Sequence, residues 1–238
     1  MDLEKDEFPW PNADETKLAV SLCWLVDWEF GLLERHRQEM FASLNRFMDK
    51  ADDMYQDFQK QWEHYGDVTE LPEYDLLAEE YRTATEFIPR VQWSAQFLML
   101  FSTFENLICR LADVAKVRLK QKTSYRDFAG TGFEPAHKYL KVVAGLESAF
   151  KSAEWNAVSV FKQLRNTLAH TRGEFKWSEE PSSLGQRMKQ FKHWTVDDYS
   201  PGYACNLCLS SEFLEDAIKT LRAAALQVCN ARFEGETS

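Results

Sequence analysis

Three side chains with complementary chemistry fall close together in the run Phe161-Lys162-Gln163-Leu164-Arg165-Asn166-Thr167-Leu168-Ala169-His170-Thr171-Arg172-Gly173: Arg165, Asn166 and His170. An imidazole can take or give a proton near neutral pH. A guanidinium offers planar, forked donors that match a phosphate carrying developing charge. Cleaving RNA without a metal needs both: a base for the 2′-hydroxyl, an acid for the departing 5′-oxygen, and a cation beside the crowded phosphorus. One copy of the run supplies one histidine and one arginine, so two copies across a two-fold axis would supply a pair of each in one groove.

The spacing also says which way these groups face. With Leu164 at zero and about 100° per residue, Ala157, Val160, Phe161, Leu164 and Leu168 form the apolar stripe of a helix. On the same wheel Arg165 falls near 100°, Ala169 near 140°, Lys162 near 160°, Asn166 near 200° and His170 near 240°. The polar set therefore looks away from the protomer's own core. Asn166 and His170 are i,i+4 neighbours, and a long arginine can reach across small Ala169 to join them. Gly173 is the expected C-cap, leaving His170 in the last turn.

Arg165-Asn166-x-x-x-His170, ending a helix before Thr171-Arg172-Gly173, resembles the signature of the HEPN superfamily (higher eukaryotes and prokaryotes nucleotide-binding domains). The resemblance covers about ten residues directly. It implies an all-α bundle that dimerises by bringing two motifs together. Many members are metal-independent endoribonucleases acting as toxins or phage-defence effectors; others have lost activity and only bind. The resemblance thus implies His170 as acid or base, Arg165 as phosphate stabiliser, and Asn166 bracing the site across the dimer. It also implies an acidic residue on a neighbouring helix, for which Glu105 is the candidate, orienting Arg165. The alternative is a noncatalytic HEPN module that uses the same face to bind a nucleotide, RNA or a protein. An antitoxin or defence-system partner fits either reading.

Several elements must position this run. Residues 1–13, with Pro9 and Pro11, are expected to be a loose arm. Asn12 with Glu15 resembles a capping box and opens a helix toward Gly66, in which Phe41, Leu44, Met48, Ala51, Tyr55, Phe58, Trp62 and Tyr65 repeat at heptad spacing. Thr69 to Pro72 is a turn, and the next long helical region is kinked or broken at Pro89. After it Phe97, Phe101, Phe104, Ile108, Leu111 and Ala115 line one stripe, and Glu105 is the only charge between Val91 and Cys109. A lone carboxylate there is costly unless paired, and Arg165 is the natural partner. A loop with Gly130 and Gly132 leads to a short helix at 135–146, then to the motif helix at 152–172. Residues 174–186 read as a mobile loop, and 190–196 with 203–209 as a β-hairpin around Asp197-Asp198-Tyr199-Ser200-Pro201-Gly202. A final helix over 211–233 turns Phe213, Leu214, Ala217, Ile218, Leu221, Ala224, Ala225 and Val228 inward. The expected architecture is one all-α, HEPN-like domain over 1–238, with long antiparallel helices and a small hairpin near the C-terminus.

The formal net charge of −10 argues against nonspecific nucleic-acid binding, but the charge is segregated. Residues 1–109 carry 9 Lys/Arg against 23 Asp/Glu, 110–192 carry 16 against 8, and 193–238 carry 3 against 7. The basic block holds the motif, so Lys162, Arg172, Lys116, Arg118 and Lys120 are the candidate RNA contacts. Five cysteines, an odd number, suit a reduced compartment. The acidic N-terminus lacks the regions of a signal peptide, and Val91 to Cys109 is too polar to span a membrane, so a cytoplasmic chain is expected. Cys205-Asn206-Leu207-Cys208 has CxxC spacing, but zinc would need remote ligands such as His193 or Cys229. Glu134-Pro135-Ala136-His137 is the only Glu-x-x-His pair, whereas a carboxylate-bridged di-metal bundle needs two. His36, His64 and His193 read as structural or surface residues. No P-loop, dinucleotide glycine pattern or nucleophile elbow is present, and no cofactor is expected.

Overall fold

A single helix, α1 (Glu15–Trp62), accounts for 48 residues, or about 70 Å at 1.5 Å per residue. The computed structural model describes residues 15–63, 72–197 and 204–231. The chain there is mostly helical, with a small three-stranded antiparallel sheet near its C-terminal end. α1 runs antiparallel to α7 (Ser211–Asn230). Cys23 Sγ donates to Asn230 Oδ1 at 3.3 Å, Arg222 Nε to Asp27 at 2.9 Å, and Arg37 Nη1 to Ser211 Oγ at 2.6 Å. Leu22, Val26 and Phe30 are accordingly buried.

Because α7 starts level with Arg37, the later turns of α1 have no such partner. Of the heptad positions only Leu44 is buried, Met48 to Trp62 are half-buried, and Phe41 is 39% exposed even though it packs on Trp93. Tyr65 and the Thr69–Leu71 part of the turn lie outside the described residues, as do residues 1–13 and His64. Beyond Leu44, α1 is covered mainly by α2 (Pro72–Arg82) and the turn that follows it, with the Tyr55 ring tilted against Tyr81 at 5.0 Å and Phe58 beside Tyr74 at 6.4 Å.

The expected break at Pro89 is a turn of π-helix, Thr83–Phe87, between α2 and α3 (Ile88–Arg118). Ile88 N–H bonds the carbonyl of Thr83, five residues back, and Pro89 then sits in the first turn of α3, where its missing N–H costs nothing. The predicted stripes of α3, of α5 (Ala153–Thr171) and of α7 are all buried. They meet where the ring of Phe97 lies 5.7 Å from Phe161 and 5.9 Å from Phe213. Each such ring contributes roughly 1.5–3 kcal/mol of transfer free energy. α4 (Glu134–Val142) packs against α3.

The hairpin expectation needs enlarging. β2 (Trp194–Asp197) and β3 (Ala204–Leu209) pair antiparallel with Trp194 opposite Leu209, but β1 (Glu174–Lys176) adds a strand on the other edge of β3. Residues 174–186 are therefore not all loop: they hold β1 and the start of α6 (Leu184–Met188), which Ser183 caps. A strand of three residues shows no alternation to read, and its partner lies about thirty residues later. Among the described residues, no helix is long and apolar enough to cross a membrane.

Candidate functional site

α5 begins at Ser152, whose hydroxyl accepts Trp155 N–H, and ends in a left-handed turn shared by two residues. Arg172 takes φ +56° and Gly173 φ +90°, so the cap predicted at Gly173 starts one residue earlier. Only Gly173 is sterically committed: its carbonyl accepts Leu207 N–H at 3.0 Å, and a Cβ there would stand 3.3 Å from Leu168. The end of α5 is thereby fastened to β3. On its flank Arg187, from α6, donates to Gln163 at 3.0 Å and to the Ser159 hydroxyl.

Arg165, about a third exposed, lies between two acceptors. Nη1 donates to Asn166 Oδ1 at 3.1 Å and Nη2 to Glu105 Oε2 at 3.4 Å. The Glu105 side chain is 15% exposed, and the backbone N–H of Phe133 also donates to it. Burial pushes its carboxyl above the usual range, with the Arg165 guanidinium and the Phe133 N–H pulling it back only in part. Gly132, at φ +59°, presses against it so closely that a Cβ would sit 2.6 Å from Oε1. This Gly132–Phe133 seat was not foreseen in the sequence; the signal for it was the Gly130-Thr131-Gly132 spacing ahead of α4.

His170 is exposed in the last turn of α5, one turn beyond Asn166 and beside exposed Ala169 and Arg172. No hydrogen bond or ion pair holds its ring among the described residues. Lys162 reaches Glu134 in an ion pair rather than open solvent. Lys116, Arg118 and Lys120 are not brought to the motif. They lie about 16–22 Å beyond Glu105 by helix rise, and Arg118 borders Leu111, Val228 and Cys229 on another side of the bundle.

The remaining candidates resolve by position. Cys205 and Cys208 are three apart on β3 and so point to opposite faces of the sheet, Cys205 with buried Leu207 and Leu209, Cys208 toward Arg90 and Asp197. One ion cannot take both thiols. Cys229 lies against Cys23, and His193 is exposed at φ +64°. Among the described residues, no three His, Cys, Asp or Glu side chains are grouped to hold a metal. Glu134 serves Lys162, while the His137 ring stacks on Trp155 at 5.4 Å and meets the edge of Phe150 at 4.6 Å.

That aromatic box has a pH signature. Burial, reinforced by Lys141, pushes the His137 imidazole down to about 4. The unfolded chain takes up the proton near 6.5 and the folded chain does not, so stability is full above pH 6.5 and falls as pH drops toward 4. Urea unfolding of wild type and His137→Gln across that window should differ in slope, with the variant flatter; equal slopes would show the ring to be hydrated. Glu105, raised by burial, acts with the opposite sign and is common to both proteins.

Comparison of the chain with family models, with curated proteins and with solved structures gives no match.

Proposed function

We propose that the chain is a metal-independent endoribonuclease of HEPN type, acting as a toxin or phage-defence effector through a site composed by two protomers. The observation that carries this reading is the arrangement on α5: Arg165 held by Glu105 and Asn166 on a half-open face, with His170 exposed one turn further on. Small, exposed Ala169 between them leaves room for a second α5 to approach. In the composite groove one imidazole removes the 2′-hydroxyl proton and the other protonates the departing 5′-oxygen. The paired guanidiniums stabilise the phosphorus-centred anion. The products are a 2′,3′-cyclic phosphate and a 5′-hydroxyl.

A second reading, a noncatalytic module that binds RNA, a nucleotide or a protein on this face, is favoured by one feature. Both arms of Arg165 are already engaged, and among the described residues nothing aims His170. Light scattering and cleavage assays separate the two. The nuclease reading expects a dimer at tens of micromolar and cleavage that persists in EDTA. A monomer, or activity lost in EDTA and restored by a divalent ion, removes the composite Arg165/His170 site.

A further inference from the structure

The outer half of α1 uses its apolar residues unevenly. Tyr55 and Phe58 face Tyr74 and Tyr81 and zip α1 to α2, with Trp62 against Phe58. Alongside this zipper, and sharing Tyr81 with it, an open groove of about 490 Å³ runs between the two helices and is lined by Ala51, Leu77 and Ala84. Its walls are Phe47, Met54 and Leu76, which remain 45%, 47% and 63% exposed. An apolar surface of this kind, left open beyond the bundle, marks an interaction site.

Charge selects the occupant. Glu79 and Glu80 line the groove and Asp53 stands on the adjoining turn; all three are exposed, and none has an ion-pair partner among the described residues. Residues 41–90 carry 12 Asp/Glu against 5 Lys/Arg, and Lys50 is the one cation among the groove's lining residues. Such a rim repels RNA, an anionic membrane and a second copy of the same groove. From Phe47 to Met54 is about 10 Å of helix rise, two turns. We infer that the α1–α2 groove docks an amphipathic helical segment of another protein. Its apolar face spans i, i+3 or i+4, and i+7, and its flanks carry Lys or Arg. The inference does not depend on the nuclease reading.

The test uses the full chain and fluorescein-labelled synthetic helices of about four turns. One has leucines at the stated spacing with lysine flanks, one replaces every lysine with glutamate, and one scrambles the leucines. Fluorescence anisotropy at low salt should show the lysine helix binding at least about tenfold tighter than either control, and weakening as salt rises. Leu76→Asp and Met54→Asp, both at exposed positions, should each weaken it about tenfold or more, with unchanged circular dichroism. Glu79→Lys with Glu80→Lys should invert the preference between lysine and glutamate helices. Equal affinity for the three helices, or binding indifferent to Leu76→Asp and Met54→Asp, overturns the inference. So does loss, in Leu76→Asp, of self-association or of binding to phosphatidylserine vesicles, since either would name a different occupant.

Discussion

RNA cleavage should fall by about 10²–10⁴ in His170→Ala, the cost of losing a general acid or base, and by about 10²–10³ in Arg165→Ala, the cost of losing one charge-stabilising donor. Neither substitution opens a core cavity, because His170 is exposed and Arg165 is about a third exposed off the buried stripe of α5. If the two residues act as one unit, the double mutant is little slower than either single mutant. Arg165→Lys should rescue poorly: an ammonium keeps the charge but cannot span Asn166 and Glu105 with a planar fork. Expression of a toxin adds a cellular readout, in which wild type arrests growth and each alanine variant relieves the arrest. Equal cleavage by wild type and His170→Ala in matched, nuclease-free preparations would falsify the enzymatic reading and leave the binding module.

Gly132→Ala should cost about 2–4 kcal/mol of stability and lower cleavage at least about tenfold. Two effects add. A side chain at φ +59° is strained by about 1–2 kcal/mol, and its Cβ, placed 2.6 Å from Glu105 Oε1, must drive the carboxylate off its seat. Glu105 then loses the Phe133 N–H, and Arg165 loses the acceptor that aims Nη2. Hydrogen bonds to a charged group are worth about 1.5–3 kcal/mol. The check is a double-mutant cycle by urea unfolding: Glu105→Ala removes the atom that the new methyl strikes, so Gly132→Ala should cost less in that background, with a coupling of roughly 0.5–3 kcal/mol. Strict additivity would mean that Gly132 and Glu105 do not bear on one another. Glu105→Gln by itself should leave stability unchanged or raise it, because burial disfavours the ionised form.

What the sequence by itself determined is the helical frame and its buried stripes. Phe97 to Ala115, Ala157 to Leu168 and Phe213 to Val228 are all inside, because a helix repeats every few residues and an apolar row at that period has one face to bury. The Arg165–Glu105 pairing was also legible, from the cost of a single carboxylate in an otherwise uncharged stretch. Tertiary structure decided what depends on residues far apart. It put Gly132 against Glu105 and sent Lys162 to Glu134, contacts that bridge about 27–28 positions and leave no periodic trace. It paired three-residue β1 with β3, so that the end of the motif helix is held by the sheet. It set Cys205 and Cys208 on opposite faces, because the CxxC spacing falls in a strand, where three residues reverse the side. Above all it set how much of α1 the bundle can cover. The heptad pattern starts at Phe41, just beyond the point level with Arg37 where α7 begins, so of its described positions only Leu44 is core, and Phe47 and Met54, which lie off the pattern, wall an open groove.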